Sequence, residues 1–344
     1  MLIAYAHLHS CDGDPQGARH LWITPAGSAH SVHSDSMHAE DAAIWAQDAD
    51  LLPPQARGLF TERLLGVGGR SAAWLVECRL PGSSNITWAG DNPPSRLALK
   101  VPLKSLRSAP PLRSAQRELH AMLPLVHEYM VRPWGLVRTA QGQTGLLLEA
   151  CTAGSLGQLQ RSAGTLSPGE CVTALTPVAQ ALNHLHERGA AHGDVTAANI
   201  LLTPEGRPAL GDLGDTVLLG MDAVYGTSED DVHALASVTW SCLTGREPDA
   251  ADRRVPLQSL VPEATDELTE LIEVALSPYP TERPLAREFA SELYESAPAE
   301  PLNLLPAVDD HALTELPTVL PGGRPSRRTD GLWHRLVRRM RRRR

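Results

Sequence analysis

Two acids, an amide and an ammonium group carry the chemistry open to this chain. In the run Ala191-His192-Gly193-Asp194-Val195-Thr196-Ala197-Ala198-Asn199-Ile200-Leu201-Leu202, Asp194 and Asn199 stand five positions apart, between a helix end and an apolar, strand-like stretch. In a short loop that spacing lets both side chains face one cavity. The carboxylate can accept or orient a hydroxyl proton, and the amide oxygen can ligate Mg²⁺. After the turn Thr203-Pro204-Glu205-Gly206-Arg207-Pro208, a second apolar strand runs into Gly211-Asp212-Leu213-Gly214, where Asp212 offers a second hard oxygen donor. The ammonium is Lys100, at the end of Leu97-Ala98-Leu99-Lys100. It is one of only two lysines, with Lys104, beside 29 arginines. A point charge there can neutralise phosphate.

Two weaker features fit the same chemistry. Glu118, eighteen residues after Lys100, can pair with it and hold it toward phosphates. Leu65-Gly66-Val67-Gly68-Gly69-Arg70-Ser71 lies between two strand-like runs, where glycines let backbone N–H groups approach phosphate oxygens without Cβ clashes. Taken singly, a glycine turn, a snorkelling lysine and a surface glutamate are the commoner readings of these residues.

The elements that must position these groups change character along the chain. Residues 58–150 read mostly as strand: the runs around the glycine turn, Arg96–Leu103, and the pair flanking Gln141-Gly142-Gln143. Pro81–Ser95 reads as a long hairpin loop. Apolar residues at 119, 122, 123, 126 and 130 predict a helix over Ser114–Met130. From residue 154 helices dominate. Ser167-Pro168 with Glu170 has the spacing of a capping box, Gly189 and Gly245 stop two helices, and Thr265 is an N-cap. A strand-rich front and a helical back predict an α+β, bilobal architecture.

The ensemble resembles the protein kinase family over residues 58–296, in the family's order and nearly its spacing. The glycine loop is similar to G-x-G-x-x-G, with Ser71 at the third glycine. Leu97–Lys100 resembles V-A-I-K, and Arg117-Glu118-Leu119 carries the glutamate that pairs with that lysine. Leu147-Leu148-Glu149-Ala150 resembles the hinge, His192-Gly193-Asp194 with Asn199 resembles H-R-D-x-x-x-x-N, and Asp212-Leu213-Gly214 resembles D-F-G. Asp231 and Arg283 match the acid that anchors the catalytic loop and the late arginine of the helical lobe. The resemblance implies a β-rich N-lobe (58–150) and a helical C-lobe (151–296), with ATP and Mg²⁺ as cofactors. It implies catalytic roles for Asp194, Lys100, Glu118 and Thr196. Nucleotide contacts would come from Gly66, Gly68, Gly69, Ser71, Ala98, Lys100, Glu149, Cys151 and Leu201, and metal ligation from Asn199 and Asp212. Backbone groups of Glu149 and Cys151 would hold adenine, beside Leu148 as gatekeeper.

Three departures qualify the resemblance. Gly193 replaces the arginine that reads an activation-loop phosphate, so ordering of the site should not need that phosphorylation. Thr196 stands where Ser/Thr kinases carry a lysine beside the γ-phosphate. Only 17 positions separate Gly214 from Asp231 and A-P-E is missing, which truncates the peptide-docking shelf. Without that glutamate, Glu229 is the expected partner of Arg283. Three functions stay open: a Ser/Thr protein kinase of bacterial signalling type; a pseudokinase acting as a nucleotide-binding interaction module; and a small-molecule phosphotransferase, whose aminoglycoside and choline kinase relatives often show H-G-D.

Bulk properties bound the rest. The net charge of −9 hides a tail, 324–344, with ten arginines and one aspartate, about +9, so the remainder carries about −18 and is a poor nucleic-acid binder. Trp333, Leu336, Val337 and Met340 at helical spacing make that tail a candidate helix for an anionic membrane surface or acidic partner, each arginine adding roughly 1 kcal/mol. Residues 1–57, with six histidines at no metal-site spacing, read as a disordered leader, and 297–323 as a linker. The opening residues lack the pattern of a signal peptide. Five scattered cysteines without C-x-x-C predict neither zinc nor disulfides, and point to a cytoplasmic protein, peripheral to the membrane through its tail. The Arg-over-Lys bias suggests a GC-rich bacterial genome.

Overall fold

The computed structural model of the chain describes residues 51–69, 71–103, 111–213 and 226–306. Most of the leader with its histidines, Arg70, Lys104, Gly214 with the stretch to Tyr225, and the basic tail lie outside the described residues.

The front half is one antiparallel sheet of six strands: β1 (Leu59–Val67), β2 (Ser71–Cys78), β3 (Ile86–Trp88), β4 (Arg96–Pro102), β5 (Pro133–Arg138) and β6 (Thr144–Glu149), in the order β1-β2-β4-β6-β5-β3. Side-chain alternation divides its faces. Trp74, Val76, Leu97, Leu99, Val101, Val137 and Leu147 form one apolar cluster, while Leu136 and Leu146 join the larger core that runs into the helical half.

Strand β3 lies inside the stretch whose Gly, Ser, Asn and Pro content predicts only a loop. It pairs with β5, from Ile86↔Val137 to Trp88↔Gly135, rather than with a sequence neighbour. Three residues are too few to show a period, and pairing 50 residues away leaves no local trace. Gly135 is required there: its φ is +156° and a Cβ would lie 2.3 Å from the Thr87 carbonyl oxygen.

Helix α1 (Pro111–Met122) is shorter than its apolar spacing predicts. A 3₁₀ turn, Leu123–Leu125, follows it, with Pro124 lacking the N–H that would continue the helix. The chain then becomes extended and is stitched to a later hairpin: Leu210 N–H donates to Tyr129 O at 2.8 Å and Val131 N–H to Leu210 O at 2.9 Å.

The helical half comprises α2 (Leu156–Ala163), α3 (Pro168–His186), the hairpin β7 (Ile200–Leu202) and β8 (Pro208–Leu210), α4 (Ser228–Thr244), α5 (Leu257–Leu260), α6 (Asp266–Ala275) and α7 (Ala286–Ser296). The caps are those the sequence offers: Ser167 and Glu170 form a reciprocal capping box on α3, Thr265 accepts from Leu268 N–H, and Gly245 ends α4 at φ +73°. A single buried cluster joins Leu119 and Met122 of α1 and Leu136 and Leu146 of the sheet to α3, α4, α6 and α7.

Both flanks hold more structure than composition suggests. Of the segment read as a linker, Glu300 packs on the start of α3, where its N–H donates to Gly169 O at 3.0 Å and its carboxylate and carbonyl accept from Ser167 and Thr173 hydroxyls at 2.5 and 2.6 Å. Leu304 then enters the main core, 8% exposed. Of the segment read as leader, Pro54 O accepts from Thr61 Oγ1 at 2.7 Å and Gln55 O from Ala140 N–H at 2.6 Å. A few backbone bonds and one leucine suffice for such docking, and neither alters composition. Among the described residues no helix is long and apolar enough to cross a membrane.

Candidate functional site

Lys100 lies on β4, between β2 and β6, opposite Ala73 and Leu146. Its neighbours Leu99 and Val101 belong to the outer apolar cluster, so alternation turns Lys100 to the face covered by α1. On α1, Ala115, Leu119 and Met122 are buried, and Glu118 falls within that same helical stripe, an acid on a face that is otherwise core. The two meet: Lys100 Nζ is 3.0 Å from Glu118 Oε1 and 2.6 Å from Asp212 Oδ1. The lysine and glutamate side chains are only 20% and 15% exposed. Burial is the largest single influence on Lys100 and pushes its pKa down. The charges of Glu118 and Asp212 and their hydrogen bonds together outweigh it, and hold the ammonium well above the ordinary lysine value.

The loop that carries Asp194 and Asn199 is hung on a buried carboxylate. Asp231, in the first turn of α4 and 1% exposed, accepts from the N–H groups of His192 and Gly193, each at 2.7 Å, and contacts His186 Nε2 at 2.9 Å. Three partners offset the cost of burying the acid. Gly193 has φ +77°, so glycine is the unstrained residue there. His192, fully buried, accepts from Asp194 N–H on Nδ1 at 3.3 Å, which leaves Nε2–H to donate to Gly211 O at 2.9 Å. The loop is thereby tied to the residue before Asp212.

Asn199 Nδ2 donates to Asp194 O at 2.9 Å and to Asp194 Oδ2 at 2.8 Å. Gly211 N–H donates to Asn199 O at 2.8 Å. Asp212 has φ +58°, a left-handed conformation that aspartate tolerates better than most residues and that directs its carboxylate to Lys100. Asp194 is thus bonded to Asn199, and Asp212 to Lys100 and Lys100 to Glu118, the two groups being joined through the Gly211 backbone. Thr196 takes another part: its hydroxyl and carbonyl oxygens accept from Asn199 N–H at 3.3 and 3.0 Å, bracing the loop.

The segment joining the halves supplies an apolar floor. Val131, Cys151 and Ala209 are buried together, with Leu148 and Leu201 packed against them, and Ala98 of β4 pairs with Leu148 of β6. Burial, then the charge of Glu149, pushes the Cys151 thiol up to about 12. At the far end, Gly66 pairs with Ala73 in the β1–β2 hairpin and Gly68 N–H donates to Ser71 O at 2.8 Å. None of Gly66, Gly68 and Gly69 is in the left-handed region, and a Cβ at Gly66 or Gly69 would meet nothing within 4 Å. The hairpin itself does not need these glycines, whereas close approach of a ligand to its backbone does.

The donor set fits Mg²⁺. Asp212 offers a carboxylate oxygen and Asn199, whose NH₂ is engaged by Asp194, offers its amide oxygen; two hard oxygens on segments joined through Gly211 suit an ion that keeps waters and takes phosphate oxygens. Among the described residues no group of three or more His, Cys, Asp and Glu side chains forms a separate metal site.

One expected partner is corrected. Arg283, 8% exposed, pairs with the carboxylate of Asp230 at 3.0 Å and takes only the backbone oxygen of Glu229, at 3.0 Å. The Glu229 carboxylate accepts from Ser228 Oγ instead. Residue 230 is the third position of α4, already turned inward by its capping box with Thr227, and 229 points elsewhere around the helix. Burial alone would raise the Asp230 carboxyl, but Arg283 and Thr227 hold it below its ordinary value. His186 and Arg207 also escaped the sequence reading: the first meets Asp231 across 45 residues and the second meets Glu149 across 58, so only tertiary contact reveals them.

A six-stranded sheet over a helical half, with a sheet lysine joined to a helix glutamate and a loop aspartate, defines the protein kinase fold. The protein kinase domain description matches residues 94–227, a span holding Lys100, Glu118, Asp194, Asn199 and Asp212. The chain is 29% identical to a probable serine/threonine-protein kinase of Dictyostelium discoideum, over 52% of this chain and 41% of that protein. It is 26% identical to the serine/threonine-protein kinase PknA of Mycobacterium tuberculosis, over 64% of this chain and 57% of that protein. It is 33% identical to the cytokinesis protein sepH of Aspergillus niger, over 34% of this chain and 9% of that protein. In each case the match spans less than two thirds of the relative's own length. Residues 94–227 of the chain thus match a protein kinase domain, and serine/threonine-protein kinases are among its relatives.

Proposed function

We propose that the chain is an ATP- and Mg²⁺-dependent kinase of the serine/threonine class, of bacterial signalling type, acting on a protein hydroxyl. The observation that carries the proposal is Lys100, bonded at once to Glu118 and Asp212 at 3.0 and 2.6 Å. That arrangement leaves a fixed positive charge beside a carboxylate and an amide oxygen suited to a metal. Bound Mg²⁺ and ATP supply the phosphoryl group and much of the neutralisation of its charge. Lys100, steadied by Glu118, draws the phosphates into register. Asp194, whose backbone and Oδ2 are fixed by Asn199, orients the acceptor hydroxyl and receives its proton. Most of the rate acceleration then comes from positioning and charge neutralisation.

The test is transfer of radiolabel from ATP to the chain itself and to generic protein substrates. Label should appear with wild type and vanish in Lys100→Met and Asp194→Ala. Wild-type transfer no greater than that of Asp194→Ala would rule out a working kinase.

A second reading, the pseudokinase that binds nucleotide without useful turnover, is favoured by Thr196. That position carries no cation, and its hydroxyl already serves Asn199. Tight ATP–Mg²⁺ binding without transfer selects it. The tail 324–344 is proposed to hold the protein on an anionic membrane surface from the cytoplasm; its removal should abolish co-sedimentation with anionic liposomes, and unchanged sedimentation would reject the idea.

A further inference from the structure

The two ends of the site belong to different parts of the molecule. Glu149 and Cys151 lie in the segment that joins sheet to helices. Asn199 and Asp212 lie at the open end of the β7–β8 hairpin, immediately before β7 and two residues after β8. The closed end of that hairpin is a well-satisfied turn. Thr203 N–H donates to Arg207 O at 3.0 Å, Gly206 N–H to Thr203 O at 2.9 Å, and Arg207 N–H to Thr203 Oγ1 at 3.2 Å. Leu304 backs it, 3.7 Å from where a Cβ on Gly206 would stand. The backbone of Arg207 is therefore fixed.

The Arg207 side chain leaves the turn and spans two other segments. Its Nη2 donates to Glu149 Oε1 and its Nη1 to the Glu128 carbonyl. Glu149 is held again from the other side: its N–H donates to Arg132 O at 2.8 Å, and its Oε2 accepts from Arg132 N–H at 3.4 Å. The turn needs no arginine for its own geometry. A guanidinium with donors in a rigid fork can reach a carboxylate and a carbonyl together, as an ammonium on a flexible stem cannot.

We propose that Arg207 is a positioning residue: an arginine clamp that locks the Glu149–Cys151 segment to the hairpin bearing Asn199 and Asp212, and so fixes the spacing between the adenine end and the metal end of the site. The ligand assignment rests on the nucleotide reading above; the clamp itself does not. Without Arg207 the joining segment gains freedom that a ligand must remove on binding.

Two measurements on the full chain separate the possibilities. Hydrogen exchange of the unliganded protein should show faster exchange of amides 149–153 in Arg207→Ala than in wild type, with melting temperature little changed. Calorimetry should show adenosine and ATP–Mg²⁺ both weakened, by about tenfold, in Arg207→Ala. Lys100→Met should weaken ATP–Mg²⁺ but not adenosine, which lacks phosphate. Glu149→Gln should mimic Arg207→Ala, the double variant should be no worse than either, and Arg207→Lys should recover only part of the loss. Unchanged exchange at 149–153, or strictly additive losses in the double variant, overturns the clamp even if nucleotide binds. Faster exchange in Arg207→Ala with no adenosine or ATP binding by wild type supports the clamp and rejects the nucleotide reading instead.

Discussion

At the scale of single residues, the site is a balance between buried charges. Lys100 keeps its proton because two carboxylates outweigh the cost of burying it. Replacing it with methionine leaves Glu118 facing a mostly apolar neighbourhood without its cation. Phosphate transfer in Lys100→Met should fall at least about 100-fold, as expected for loss of a group aimed at developing charge. Glu118→Gln leaves the Asp212 contact and should be milder, about tenfold, read as rate against nucleotide concentration. Asp231→Asn tests the support beneath the loop. Its carboxylate accepts from two backbone N–H groups at 2.7 Å, and an amide nitrogen turned to either would oppose donor to donor. Urea unfolding should show a loss of about 3 kcal/mol; a loss within error of zero would mean the loop is held elsewhere.

At the scale of elements, the segments that look dispensable are the informative ones. Residues 297–306 would be trimmed from a domain drawn by composition, yet Leu304 is core and Glu300 is bonded to the start of α3. Leu304→Ala should cost about 2 kcal/mol in denaturant unfolding, at the lower end for a buried leucine because it lies near the surface. A chain ending at Ser296 should melt lower still. Gly135→Ala probes the unforeseen pairing of β3 with β5. Its new Cβ would meet a backbone oxygen at 2.3 Å, so either β3 detaches or the strand bends. Faster hydrogen exchange confined to residues 86–88 and 133–137 is the expected result, and unaltered exchange with unaltered stability would show that the edge strand yields freely.

At the scale of the whole molecule, pH dependence follows from which groups the fold holds away from their ordinary values. His127, His184 and His233 are lowered, burial being the first cause in each, followed by neighbouring imidazole or arginine charge. The unfolded chain thus binds more protons than the native state below the ordinary value of 6.5, and stability falls as pH drops through that range. Asp230 and Glu229 are also lowered, so their contribution is present above the carboxylate range and is lost at still lower pH. Lys100 is raised, so its contribution is intact below 10.5 and is lost only as pH rises through its higher folded value. Thermal unfolding should therefore show a plateau from about pH 7 to about pH 8.5, a decline above it as unfolded thiols ionise while the buried Cys151 thiol stays protonated, and a decline on acidification that begins near pH 6.5. A melting temperature as high at pH 5 as at pH 7.5 would contradict this. His233→Asn should soften the upper part of the decline, provided burial and not a specific bond is what holds that imidazole neutral.

The amino-acid sequence by itself determined what depends on residue type and short spacing. Asp194 and Asn199 share a loop, Asp212 follows the strand after it, and Lys100 is one of two lysines in an arginine-rich chain. Ser167, Thr265 and Gly245 mark helix ends because capping is a local bond. Tertiary structure alone decided which distant groups meet: Asp230 rather than Glu229 for Arg283, His186 for Asp231, Arg207 for Glu149, Ile86 for Val137, and Leu304 for the core. The physical reason is the same throughout. A capping bond or a helical stripe closes within a few residues and imprints a pattern, whereas an ion pair or strand pairing across 45 to 58 residues needs only one compatible side chain at each end, which ordinary composition supplies many times over.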